Sequence, residues 1–199
     1  MLKSIHHQLV FLRRINVLSN EISSVMDDSI KKLVDVGCGD GTISSLIASK
    51  KKGREFSGID IMARPTCAIP FKEYDGHHIP YEDNSVDACM FVDVLHHLHH
   101  VKELLAEAKR VSNKYIIIKD HLWKNKLDYK ILEFMDNIGN KPHGVVLEYN
   151  YLPEKKWREI FDELGLEVVS MKKSIPLYAF PFSMVFGREL HFVALLKKK

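Results

Sequence analysis

The segment that most constrains the fold is Lys32 to Gly41, KLVDVGCGDG, a short apolar run that ends in three glycines at alternate positions. A run of this length fits a buried strand, and the residues that follow, Ile43, Leu46 and Ile47, recur at helical spacing. Glycines lack a Cβ, so the backbone between strand and helix can turn sharply and approach a ligand closely. In α/β sheets, ligands bind beyond the carboxyl ends of the strands, where strand order reverses.

The same alternation continues along the chain. Phe56 to Ile61 reads as a second strand, and Val86 to Val92, interrupted by Asp87, as a third. Leu104 to Val111 looks like the end of a helix, followed by Tyr115-Ile116-Ile117-Ile118, a strand buried on both faces. Trp157, Ile160, Phe161 and Leu164 mark a helix stopped by Gly165, and Val168 to Met171 and His191 to Leu196 form two closing strands. At the N-terminus, Leu2, Ile5, Leu9, Leu12, Ile15, Leu18 and Ile22 trace an amphipathic helix. Its polar face is only modestly basic, so core packing or a lid suits it better than membrane docking. The pattern predicts an α/β fold with a mostly parallel central sheet.

The chain's 199 residues, 46% of them apolar, support one substantial core, and there are no internal repeats, so one domain over 1–199 is expected. The net charge of +3 equals the Lys197-Lys198-Lys199 tail, which leaves no basic stripe to recommend nucleic acid. Cys38, Cys67 and Cys89 are far apart and lack a CxxC pair, which fits a reducing compartment and a cytoplasmic location. No apolar run is long enough to span a bilayer, and no signal peptide is evident.

The glycine turn carries an acid two residues before its first glycine, Asp35, and another inside it, Asp40. Thr42 stands where a dinucleotide loop has its third glycine. Two carboxylates would repel a pyrophosphate, whereas a ligand with a cationic amino-acid end would suit them. Asp60, at the end of the second strand, is placed to accept both hydroxyls of a ribose. Asp75-Gly76 then offers a carboxylate for an adenine amino group and a backbone N–H for a ring nitrogen. Taken singly, Asp60 and Asp75 could equally be helix caps or turn residues.

Together these segments, the DxGxGxG-like turn and the D(A/G)xxxP(F/Y)xDxSxD-like stretch from Asp75 to Asp87, resemble the class I S-adenosylmethionine-dependent methyltransferases, specifically their small-molecule branch. The resemblance covers roughly Leu33 to Asp120. It implies a single-domain Rossmann-like methyltransferase fold with an antiparallel C-terminal strand and helices on both faces. It also implies S-adenosylmethionine as cofactor, S-adenosylhomocysteine (SAH) as product and a small-molecule methyl acceptor. Asp35, Gly37, Cys38 and Gly39 would hold the methionine part, and Asp60 the ribose, with Ile61 the hydrophobic residue after it. Asp75 and Gly76 would take the adenine, and the backbone near Asp93 would face the cofactor's amino group. Tyr81 and Val86 stand where the family commonly has Phe.

The cluster His96-His97-Leu98-His99-His100 falls after the strand ending at Val92. Many members of the family have a similar VLHH there, so a metal is not needed to explain it. With no cysteine or HExxH partner nearby, no metal site is expected. Packing or solvated histidines are favoured, with an active-site role for His96 or His97 as the second reading; His99 and His100 are expected at the surface. A nucleophile that must lose a proton needs a base, and His121, directly after the Tyr115 to Ile118 strand, is the better placed candidate. Its bland alternative is an incidental histidine beside a capping Asp120.

By this scheme 1–30 is a helical cap, 31–121 the cofactor core, 122–157 a substrate-side insertion, and 158–199 the C-terminal helix and closing strands. Within the insertion, His143, Tyr149, Asn150 and Tyr151 are candidate pocket walls, and Tyr149 also a catalytic candidate. Two rivals stand beside methyl transfer: a cofactor-binding scaffold that has lost catalysis, and a nicotinamide-dependent oxidoreductase, disfavoured by the GxGxG spacing and the loop acids.

Overall fold

The structure is a computed structural model and describes residues 2–139 and 148–199. His143, a candidate wall of the pocket, lies outside the described residues.

Seven strands form one sheet in the order β3-β2-β1-β4-β5-β7-β6. In chain order they are β1 (Lys32–Val36), β2 (Glu55–Asp60), β3 (Phe71–Glu73), β4 (Val86–Val92), β5 (Ser112–His121), β6 (Leu166–Lys172) and β7 (His191–Lys198). The pairs β1–β2, β1–β4, β2–β3 and β4–β5 are parallel, and β7 runs antiparallel to both its neighbours. This is the expected mixed sheet. Two findings extend it. The three-residue β3 is too short to announce itself by period, and β5 runs on through Asp120 and His121, so His121 is the last residue of the strand instead of following it.

Successive strand residues point to opposite faces, and each face has its own helix layer. Val34, Val36, Phe91, Ile116 and Ile118 pack against α3 (Val101–Val111) and α5 (Glu154–Glu163) through Leu104, Leu105, Trp157 and Phe161. Leu33, Met90, Ile117 and Val193 pack on the other side against α1 (Leu2–Val25) and α2 (Thr42–Lys50) through Leu18, Ile22 and Ile47. Trp157, buried between Phe161 and Phe192, also donates from Nε1 to the His121 carbonyl at 3.1 Å, so it braces the rim as well as the core. Truncating such a side chain to alanine costs about 3–5 kcal/mol.

The 122–157 segment contains a helix the apolar pattern left unassigned, α4 (Lys126–Gly139). Asn125 and Asp128 start it: the Asn125 side chain accepts from the Asp128 N–H at 3.0 Å, and the Asp128 carboxylate accepts from the Lys124 N–H at 3.1 Å. A small cluster of Leu132, Tyr151 and Leu190 seats α4 beside the main core. A short α6 (Ser183–Phe186) precedes β7. Among the described residues, no helix is long and apolar enough to cross a membrane.

Candidate functional site

The strand order reverses between β1 and β4, so the carboxyl ends of β1, β2, β4 and β5 border one crevice. The glycine turn closes it below. Gly37, Gly39 and Gly41 all have positive φ, at 77°, 58° and 72°. They differ in what surrounds them. A Cβ on Gly37 would come within 2.5 Å of Val94, just past β4, whereas a Cβ on Gly39 would meet open space. Gly37 is therefore needed for packing between the two strand ends, and Gly39 presents bare backbone to the crevice. The N–H groups of Gly37 and Cys38 both donate to the Ile59 carbonyl, at 2.7 and 3.1 Å, which ties the turn to β2. The Cys38 side chain packs on Gly58 and leaves its backbone to shape the turn.

Asp60 ends β2 and holds the turn from the other side. One carboxylate oxygen accepts from the Gly39 N–H at 2.8 Å and the other from the Met62 N–H at 3.1 Å. Each oxygen keeps a second lone pair for a hydroxyl. Beside it, Ile61 is 60% exposed, an apolar side chain at the mouth of a polar crevice, and a Cβ on Gly76 would approach it within 3.1 Å. Asp75 accepts from the N–H groups of His77 and His78 at 2.8 and 2.7 Å, and these bonds hold its carboxyl below the usual range. Asp35 is buried under the turn. Its Oδ2 accepts from the Ser44 hydroxyl at 2.6 Å, and its Oδ1 has no hydrogen-bond partner among the described residues. Burial raises its pKa to about 7, against the Ser44 bond and with help from the Asp60 charge. An exposed apolar residue, an open glycine backbone and an orphaned carboxylate oxygen together fit a nucleoside carrying an amino-acid end.

At the end of β4, Asp93 has φ of 57°, and its N–H donates to the Lys119 carbonyl at 2.9 Å. Its carboxylate is clamped by two cations: Arg14 of α1 at 2.5 Å and the buried Lys119 of β5. Burial would raise the Asp93 carboxyl, but Lys119 and then Arg14 hold it well below the usual range. Lys119 also lies 3.4 Å from His191 Nδ1. Through this group α1 is anchored to the crevice rim.

On the opposite face of β5, Asp120 is fully buried and organises two histidines. Its Oδ2 accepts from the Leu95 N–H at 3.0 Å; its Oδ1 accepts from the His121 N–H at 2.7 Å and lies 2.8 Å from His96 Nδ1 and 3.1 Å from His121 Nδ1. Burial works against charge on His96, yet Asp120, with Asp93 and Asp136 behind it, raises its pKa. For His121 burial prevails, reinforced by His96 and Lys119, and lowers the pKa to about 4. The His121 side chain is 11% exposed and that of His96 1%, so His121 is the one of the pair that reaches the crevice.

The five-residue histidine cluster is thus divided. Leu95–His97 form a 3-10 turn ahead of α3 instead of opening it. His99 is at the surface, paired with Glu148 at 2.7 Å, as expected. His100 departs from that expectation: it is half-buried, stacks on His77 and lies 3.3 Å from the Gly76 carbonyl, so it braces the Asp75–Gly76 turn. Tyr151, and not Tyr149, stands against the two histidine rings, 5.5 Å from each. Tyr149 lies one ring further out, 6.4 Å from Tyr151, and its carbonyl accepts from the Tyr129 hydroxyl at 2.8 Å. Arg14, Lys119, Asp120 and Asp136 were passed over as site residues. Lys119 and Asp120 had a signal, two charges continuing an otherwise apolar strand; Arg14 and Asp136 sit on ordinary amphipathic helices and had none.

This architecture, a mixed seven-stranded sheet with a glycine-lined crevice at the point of reversal, is that of the Rossmann-like methyltransferases. The chain belongs to the methyltransferase-domain family, whose model matches residues 4–171. It is an S-adenosylmethionine-dependent methyltransferase. Among solved structures it is similar to a methyltransferase from Thermotoga maritima, with 16% identity, a TM-score of 0.71, and 99% of this chain and 95% of that one covered. One chain of the complex between the Haloferax volcanii Trm112 methyltransferase activator and a methyltransferase matches with 15% identity and a TM-score of 0.72, over 93% and 89%. The magnesium protoporphyrin IX methyltransferase of Synechocystis, with bound SAH, matches with 14% identity and a TM-score of 0.62, over 96% and 84%. No curated protein matches by sequence.

Proposed function

We propose that this enzyme methylates a small-molecule acceptor and that His121 is the base that takes the acceptor's proton. When bound, S-adenosylmethionine supplies an activated methyl on a sulfonium, and most of the rate then comes from holding the nucleophile in line. Asp35, Gly37, Cys38 and Gly39 hold the methionine part, with the backbone at Asp93 facing its amino group. Asp60 takes the ribose hydroxyls, Ile61 lies against the nucleoside, and Asp75 with Gly76 reads the adenine.

The observation that carries the base assignment is the Asp120–His121 pair at the end of β5, on the rim shared with the glycine turn. With its Nδ1–H on Asp120, His121 keeps the Nε2 lone pair for an acceptor proton, and the carboxylate steadies the imidazolium that forms. His96 is sealed behind it and acts on orientation through Asp120. The acceptor's size follows from access. The His121 side chain is only 11% exposed, with the Tyr151 ring 5.5 Å away, which favours a small acceptor over a macromolecular surface. Tyr149, one ring beyond Tyr151 at 6.4 Å, is the candidate outer wall of the acceptor site.

The test is a screen of hydroxyl, amine, thiol and acidic-carbon acceptors for SAH release, followed by His121→Ala with the best one. Turnover should fall by roughly 10²–10⁴-fold while SAH affinity stays within a factor of about three. An unchanged rate removes His121 from the chemistry. Tight SAH binding with no turnover on any acceptor class would favour the non-catalytic scaffold.

A further inference from the structure

We propose that His96, His97 and Asp136 form a binding site for one divalent transition-metal ion of the zinc class, which fastens α4 to the crevice rim. One ligand atom from each of the three lies within 4.8 Å of the other two, and His96 Nε2 stands 4.0 Å from Asp136 Oδ1. Among the described residues, His96 Nε2 and His97 Nδ1 are both buried without a hydrogen-bond partner. Orphaned imidazole nitrogens in two histidines grouped with a carboxylate are what a borderline metal needs and what a polar core otherwise avoids.

The surroundings are those of a prepared ligand set. His96 Nδ1 is committed to Asp120 at 2.8 Å, which fixes the ring and directs Nε2 outward, the carboxylate–histidine support that metal-binding histidines commonly have. The second Asp136 oxygen accepts from the Tyr151 hydroxyl at 2.8 Å. The 3-10 turn is held against the insertion by Asn150, whose N–H donates to the His96 carbonyl at 3.0 Å and whose side chain donates to the Leu98 carbonyl at 2.5 Å. A tetrahedral ion with bonds of about 2.0–2.1 Å brings ligand atoms to about 3.3 Å apart, so the 4.0 Å between His96 Nε2 and Asp136 Oδ1 would close by about 0.7 Å on binding. Three protein ligands leave a fourth position open, as in zinc sites that bind water or substrate.

A second trio, Asp93, His96 and His121, also lies within reach of a common point. It is a poor cation site. Asp93 is already neutralised by Arg14 and Lys119, and both histidines turn Nδ1 to Asp120.

The experiment titrates the metal-stripped full-length protein with Zn²⁺ by calorimetry, and with Co²⁺ by absorption, in the absence of cofactor. Because no methyl acceptor is used, its result is independent of the function proposed above. One equivalent should bind tightly, with the visible bands of four- or five-coordinate Co²⁺. His97→Ala, at a half-buried position, and Asp136→Asn, which keeps the size, should each weaken binding by at least about 100-fold, more than the roughly 10–100-fold typical of a supporting residue. His78→Ala is the control for the surface histidines and should bind as the parent does. The proposal is overturned if no tight equivalent binds, if either His97→Ala or Asp136→Asn retains it, or if His78→Ala removes it.

Discussion

Asp35, proposed above to hold the methionine end of the cofactor, shows at the residue scale how a carboxyl is kept against the interests of the fold. The sequence placed an acid two positions before the first glycine, but burial decides its state. Its pKa rises from 3.8 to about 7, so the folded protein holds this proton more tightly than the unfolded chain does. The sign follows from linkage. The stability contribution is full below about pH 4 and is lost as pH rises towards 7, a loss of the order of 4 kcal/mol at about 1.4 kcal/mol per pH unit. Asp35→Asn removes the titration. In calorimetric melts the variant should lose less stability than the parent between pH 5 and pH 8, and should melt higher at pH 8, while binding SAH more weakly. The same pH slope in both proteins would mean that Asp35 is charged in the fold. At this scale the acids proposed to hold the cofactor could be located from the sequence because their spacing from strand ends is local. The division of labour between His96 and His121 could not be, since it depends on which ring the tertiary packing seals.

The elements make a parallel point. Strands and helices with a clear period were readable, and β1, β2, β4 and the core of β5 fall where the apolar runs put them. β3 has only three residues, and α4 begins at a polar Asn125–Asp128 cap that the apolar pattern does not register. The glycine turn could be recognised from its spacing, but not the separate tasks of its glycines. Gly37→Ala brings a Cβ against Val94 at a positive φ, so it should destabilise by roughly 2–4 kcal/mol, from the left-handed backbone and the overpacking together. Gly39→Ala meets no neighbour, so only the backbone penalty of about 1–2 kcal/mol applies. Its methyl group would enter the space proposed for the cofactor, so its main effect should be on SAH affinity. Thermal melts and SAH calorimetry on both variants check the contrast; equal losses of stability would show that Val94 moves aside.

At the scale of the whole molecule, the helical layers and the antiparallel last strand were within reach of the sequence because burial on both faces leaves its mark on each strand. The convergence of α1, α4 and the rim on one polar group was not, because Arg14 and Asp136 lie 122 positions apart on separate helices. Ligand binding should be felt across this whole unit, since SAH binds only the folded sheet. At a concentration 100 times its Kd it should stabilise by about 2.7 kcal/mol, or roughly 5–11 °C for a chain of this size, and NAD at the same concentration should give no shift. Asp60 accepts from Gly39 and Met62 as well, so its removal lowers the starting melting temperature too. The increment produced by SAH is therefore the quantity to compare. With Asp60→Ala, the parent's increment should require at least ten times more SAH, equivalent to about 1.4 kcal/mol of binding. Asp60→Asn keeps one acceptor oxygen and should fall between. If both variants follow the parent's increments at every SAH concentration, Asp60 serves only the turn and the ribose assignment fails.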